Sequence, residues 1–180
     1  MTAIRVGWWA ALAVGVLAAA AADEPAAPSD KVKERLGDKA VGLLQGATRV
    51  EVFRVAPEET KPGDKSVGGY RVAATGAEQK KEFAGRLTAV LLKDETYFGT
   101  QSRCFLPGVA FRLWDEDKQS VDVVICFGCS NLRVIARDAD GKEVKTAAGG
   151  FGPDKGALLK LAKEAFPDDR DIQGLTDEKK

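Results

Sequence analysis

Val121-Asp-Val-Val-Ile-Cys-Phe-Gly-Cys129 (VDVVICFGC) lies in the strongest β region of the chain. β-Branched and aromatic residues dominate it and a Gly-Cys step closes it, the composition of a buried strand running into a tight turn. At the two-residue period of a strand, Val121, Val123, Ile125 and Phe127 fall on one side, and Asp122, Val124 and Cys126 on the other. One side is wholly apolar and is expected to meet helices.

Strands are expected on both flanks of this stretch, at residues 109–114 and 132–137, separated from it by the acidic turn Asp115-Glu-Asp-Lys118 and by Gly128-Cys-Ser130. The three form an antiparallel meander. Downstream, Asp138-Ala-Asp-Gly141 supplies an Asp-Gly turn into a last strand near residues 143–147. Gly149-Gly-Phe-Gly152 then leads to Pro153 at the first position of a final helix, 153–166, whose Leu158, Leu161, Ala162 and Ala165 share one side.

Upstream, residues 30–45 place Val32, Leu36, Ala40, Leu43 and Leu44 at helical spacing, weakened by Gly37 and Gly42. Residues 48–55 (TRVEVFRV) read as a strand, 56–66 as a solvent loop with two prolines, and 69–73 as a shorter strand pairing with the first in a long-looped hairpin. Thr75-Gly-Ala-Glu78 has the spacing of a capping box, so a helix is expected to start there, with Phe83, Leu87, Val90 and Leu91 on its buried side. The expected fold is α+β: an antiparallel sheet of about five strands with two or three helices packed on one face.

Residues 1–22 are read separately, because Arg5 precedes an unbroken small and apolar run ending in Ala20-Ala21-Ala22. That is the pattern of a secretory signal peptide, with no lipobox cysteine after the cleavage point. Residues 23–29 (DEPAAPS) then form a linker, 30–166 a single domain of ordinary size, and 167–180 a mobile charged tail. The expected location is periplasmic or secreted, with no integral membrane segment after signal cleavage. Lysine plus arginine equals aspartate plus glutamate at 27 each, with the signs interspersed, so nucleic acid and anionic lipid surfaces are excluded as partners. The sequence identifies no partner; an envelope protein is the class that fits an exported chain.

The chain has three cysteines and no histidine, so soft-metal or redox chemistry must pass through Cys104, Cys126 and Cys129. If the strands at 109–114 and 121–127 pair across a turn near Asp117, opposed residue numbers sum to about 234. Cys104 then falls opposite position 130, and all three cysteines gather at one end of the sheet. A disulfide suits an oxidising compartment and is the preferred reading. A zinc site on Cys104, Cys126 and Cys129 is the alternative, although it lacks an obvious fourth ligand. Thioredoxin-like catalysis needs C-x-x-C at a helix amino terminus, whereas a strand follows here. Free structural thiols complete the list.

Other motifs carry less. Gly149-Gly-Phe-Gly152 lacks the Gly-Lys-Ser/Thr of a phosphate loop. Asp115/Glu116/Asp117 and Asp138/Asp140 lack the full spacing of a calcium loop and read as hairpin turns. Trp114 with Tyr97 and Phe98 suggests packing rather than a stacking surface. Without histidine, general acid–base hydrolysis has little to work with, so no catalytic residue is expected.

Ala47-Thr-Arg-Val-Glu-Val-Phe53, Gly69-Tyr-Arg-Val72, Cys104-Phe-Leu-Pro107 and the 121–129 stretch together resemble an uncharacterised family of small exported bacterial proteins with C-F-x-P and I-C-F-x-C steps. In that family an Arg-His pair commonly follows C-F-x-P; here Gly108-Val109 stands in its place. The resemblance implies the α+β order and a joint role for the cysteines, and names no ligand. The function expected is therefore an exported, non-catalytic binding or structural protein of the cell envelope, its cysteine cluster stabilising one sheet edge. The alternative is a metal-binding or thiol-redox protein using the same cluster.

Overall fold

The structure, a computed structural model, describes residues 27–58, 60–100, 103–116 and 118–177. The signal peptide expected at 1–22, linker residues 23–26, Asp117 of the acidic turn and residues 178–180 lie outside them.

The first helical stretch folds as two helices, α1 (Asp30–Leu36) and α2 (Asp38–Gln45). Gly37, between them, has φ +81°, a conformation that β-carbon sterics make costly for other residues and that turns the chain out of the first helix. Ser29 caps α1 by accepting from the Val32 amide. The hairpin strands are β1 (Arg49–Ala56), the two-residue β2 (Ser66–Val67) and β3 (Tyr70–Thr75), β3 pairing antiparallel to both others. The β2–β3 turn is Gly68-Gly69, with φ +56° and +85°, the pair of positive values a two-residue type I′ turn requires.

The capping-box expectation is corrected. Thr75 ends β3, and the amides of Gly76 and Gln79 donate to Val52 and Val50 carbonyls at 3.0 and 2.8 Å, so the chain remains attached to β1 through this segment. Glu78 is engaged by Arg49 at 3.0 Å. The helix, α3 (Lys81–Leu91), begins only after that attachment ends, with no side-chain cap. Its buried face carries Phe83, Leu87, Val90 and Leu91 as expected.

The meander consists of β4 (Val109–Trp114), β5 (Ser120–Cys126) and β6 (Asn131–Arg137), followed by β7 (Glu143–Gly150), α4 (Lys155–Ala165) and α5 (Arg170–Gln173). Strand order is β2-β3-β1-β4-β5-β6-β7, with each adjacent pair antiparallel. The α+β class holds, while the sheet has seven strands among the described residues rather than about five. The strand not anticipated is the two-residue β2, and β7, expected near residues 143–147, reaches further into the glycine run. Val109 faces Ile125 and Arg112 faces Asp122, the expected register.

All five helices described lie on one face of the sheet, the expected arrangement in larger number. They bury Leu36, Leu44, Leu87, Leu158 and Ile172 against the inward positions of the strands, among them Val121, Val123 and Ile125. Ile172, fully buried on α5, carries the packed structure past the boundary expected at Phe166. A single isoleucine in a charged stretch shows no periodicity, which is why this turn is hard to read from sequence.

The opposite face is half apolar and half ionic. Phe53, Val55, Val67, Ala110 and Val124 form a second cluster there, with Tyr70, Val72 and Phe105 packed against it. Val67 and Gly68 reach Val124 on β5 even though β3, β1 and β4 lie between β2 and β5 in the sheet. The sheet is therefore strongly curled, aided by a register shift at Arg54/Val55 in β1, and its edge hairpin folds over its own concave face.

On the convex side, Arg86 of α3 forms a two-pronged pair with Glu164 of α4, its Nη1 at 2.7 Å from Oε2. Hydrogen bonding from Arg86 lowers the Glu164 pKa. A depressed carboxylate pKa means the contribution is present above the ordinary glutamate value and is lost as pH falls through the folded value. Both groups are largely exposed, so Arg86→Ala is expected to cost under about 1 kcal/mol near neutrality. The gap between variant and parent should close in urea titrations carried out at progressively lower pH. A gap unchanged by acid would assign the loss to packing of the arginine stem instead.

Candidate functional site

The sequence directs attention to the cysteines, and the fold brings their three positions to one end of the sheet. Cys126 ends β5 and Cys129 lies in the following turn, with their sulfurs paired as a disulfide and their Cα atoms 5.6 Å apart. Ser130, with φ +49°, completes the reversal into β6. Cys104 arrives on the irregular segment before β4. Its carbonyl accepts from Asn131 Nδ2 at 3.1 Å, and Asn131 is the residue directly across from Cys126. Cys104 thus lies at the expected end of the sheet, outside the β4–β5 ladder and held by a side-chain contact from β6. Its thiol, however, is free and exposed, whereas Cys126 and Cys129 are buried.

This arrangement separates the chemistries left open by the sequence. The pair that bonds is Cys126–Cys129, and among the described residues no three histidine, cysteine or carboxylate side chains come together in a way that could hold a metal ion. A zinc site would need Cys126 and Cys129 as thiolates, which a disulfide does not supply.

Beside the turn lies a cleft of 730 Å³. One wall is the turn itself, Phe127 to Ser130; the other is formed by Phe98 to Thr100, and the α4 start and Gly174 to Thr176 complete it. Its shape depends on glycine. Gly99 and Gly150 form an isolated bridge, Gly99 donating to the Gly150 carbonyl at 3.3 Å, and a β-carbon on Gly99 would stand 2.5 Å from the Gly152 nitrogen. The Gly149–Gly152 run is thereby explained as a close backbone crossing, the chemistry of a packed loop rather than a phosphate cradle.

Phe98, 64% exposed, stands at the cleft mouth, while its neighbour Tyr97 is buried and donates its hydroxyl to the Leu91 carbonyl at 2.8 Å. Burial pushes the Tyr97 phenol well above its usual range, with the Arg35 guanidinium over its ring pulling modestly the other way. Tyr97 is therefore a neutral anchor for the cleft wall and not an acid–base group. Trp114 sits at the far end of the sheet, where Nε1 donates to Glu51 at 2.8 Å and Arg49 lies 4.8 Å over its ring. The three aromatics do not make one surface. The acidic turns serve their hairpins, Asp115 accepting from the Gln119 amide and Asp138 from those of Asp140 and Lys142.

One constellation was missed by sequence reasoning. Asp122, in the centre of β5 and fully buried, receives Arg112 through Nε at 2.5 Å and Nη2 at 3.0 Å, Arg137 through Nε at 2.9 Å, and the Gly68 amide at 3.1 Å. Burial acts to lower the Arg112 pKa, but hydrogen bonding and charge attraction from Asp122 outweigh it, leaving the value raised. Both carboxylate oxygens are engaged, Oδ1 by Arg112 Nε and Oδ2 by the other three donors, and the role of Asp122 is to hold the curled hairpin to the sheet. Register held the signal: a pairing that places 109 opposite 125 also sets Arg112 against Asp122.

Among the described residues no helix is long and apolar enough to cross a membrane. In comparison with known proteins, the chain matches no family model, no curated protein and no solved structure.

Proposed function

We propose that this is an exported, non-catalytic binding protein of the cell envelope, whose Cys126–Cys129 disulfide sets the shape of the cleft at the end of its sheet. The observation that carries the reading is the position of that bond: it closes the very turn that forms one cleft wall. A disulfide across two intervening residues contributes little loop-closure entropy compared with one closing a long loop, so its value lies in the local shape it imposes. The apolar leader ending at Ala22 supports an oxidising destination in which such a bond persists. The absence of histidine, the usual general base, supports the non-catalytic part.

Expression of the full chain with its leader tests this directly. The expected product is a periplasmic or secreted protein beginning at Asp23, with one titratable thiol per chain under denaturing conditions before reduction and three after it. Recovery of an uncleaved cytoplasmic chain, or of three thiols with stoichiometric zinc by elemental analysis, would overturn the proposal in favour of a metal-binding protein.

A further inference from the structure

We infer that Cys104 is an internal exchange partner for the Cys126–Cys129 bond, giving the disulfide end of the sheet two covalent states. The inference rests on the disulfide reading above and adds a reaction to it. Three observations place the residue. Cys104 is unbonded and exposed while the other two sulfurs are joined. Its carbonyl is held by Asn131, the cross-strand partner of Cys126. Its neighbour Phe105 packs into the concave-face cluster with Val124, and residues 124 and 126 of a strand share a face. The segment bearing Cys104 therefore lies over the side of β5 from which Cys126 projects. Between Arg103 and Gly108 the chain forms no regular element, so the approach of one sulfur to the other breaks no strand or helix.

The step balances within the chain. Cys104 releases its proton to solvent, and the thiolate attacks Cys126 Sγ in line with the existing bond. The Cys104–Cys126 bond forms as Cys126–Cys129 breaks, and Cys129 leaves as a thiolate that takes up a proton. One disulfide and one thiol are present before and after, so neither oxidant nor reductant is needed. In the second state the free thiol is Cys129, which lines the cleft, and the turn from Phe127 to Ser130 is no longer cross-linked. The exchange would thus convert a clamped cleft into one with a loosened wall and a nucleophilic sulfur.

The test uses the full chain, acid-quenched alkylation and peptide mapping. After incubation at about pH 8.5, near the ordinary thiol pKa, label on Cys129 should rise several-fold over a sample held at about pH 4. Label confined to Cys104 at both pH values would overturn the exchange and leave the disulfide reading standing; three labels on one and the same chain would remove both. Cys104→Ser should show no label at either pH, and label on its Cys129 would count against the inference. Cys129→Ser, treated with oxidised glutathione, should fall from two thiols to none with a Cys104–Cys126 linked peptide. Retention of two thiols, or glutathione carried on Cys104, would contradict it.

Discussion

Asp122→Ala is expected to destabilise the protein by about 3–5 kcal/mol, the range for removing one partner of a buried ion pair and stranding the other. Two are stranded here, because Arg112 and Arg137 converge on the same carboxylate and would face each other across the space it leaves. The Gly68 amide would also lose its acceptor, which releases the edge hairpin from β5. Urea denaturation followed by circular dichroism measures the loss as a lowered midpoint. The mechanism makes a second demand. Replacing all three charges together by apolar residues of similar volume, as in Arg112→Met/Asp122→Leu/Arg137→Met, should recover most of the loss, since the triad's cost is desolvation and its benefit is mutual. A single-variant loss below about 1 kcal/mol, or a triple variant worse than Asp122→Ala, would mean that the triad is not what secures the curled sheet.

Gly68→Ala should cost about 3 kcal/mol, combining the penalty of a positive φ for a residue with a β-carbon and that of overpacking. The geometry is severe: at φ +56° a β-carbon would stand 2.2 Å from Val124 Cγ2 and 3.3 Å from Ile135 Cδ1. Gly69, the other turn residue, has open space around the same position, so Gly69→Ala should show only the conformational part. The difference between the two variants isolates the contact. Adding Val124→Ala to Gly68→Ala should then cost less than the sum of the two single changes, a coupling of about 1 kcal/mol or more for residues in direct contact. Strict additivity, or equal losses at Gly68 and Gly69, would remove the claim that the hairpin rests on β5.

The two effects concern the same place, and that place was the least legible in the sequence. Residues 121–127 declared their strand, their apolar side and their pairing, because alternation at period two is a local property and the Asp-rich turn before them leaves few registers open. The same register already set Arg112 across from Asp122, but a carboxylate facing outward from a strand reads as solvated unless something covers it. What covers it is the β2–β3 hairpin, which arrives from the other side of two intervening strands, β1 and β4. Nothing in Ser66-Val-Gly-Gly-Tyr70 indicates the curl that brings it there.

Other differences follow the same division. Thr75…Glu78 has the spacing of a capping box, yet the segment stays bound to β1 through the Gly76 and Gln79 amides at 3.0 and 2.8 Å and Glu78 pairs with Arg49, so the helix starts only at Lys81. Ile172 sits in a stretch that reads as a charged tail, and only its arrival under the helix layer turns it into core. At the cysteine end, chain spacing placed Cys104 at the same end of the sheet as the other two cysteines. Which two sulfurs bond was left open, since all three arrive together and the choice depends on how tightly the turn folds.

By itself the sequence determined the α+β class, the antiparallel meander and its register, the buried faces of α3 and α4, and the gathering of the cysteines at one sheet end. These rest on short-range periodicity and on pairing across tight turns, in which each residue constrains its neighbours. Only the tertiary structure decided the curl of the sheet, the burial of Asp122 between two arginines, the Gly99–Gly150 crossing that shapes the cleft, and the pairing of Cys126 with Cys129. The curl, the covering of Asp122 by the Gly68 turn and the Gly99–Gly150 crossing are contacts between elements distant along the chain. Whether a polar group, a glycine or a sulfur is exposed or enclosed is set by what packs over it, which no local pattern records.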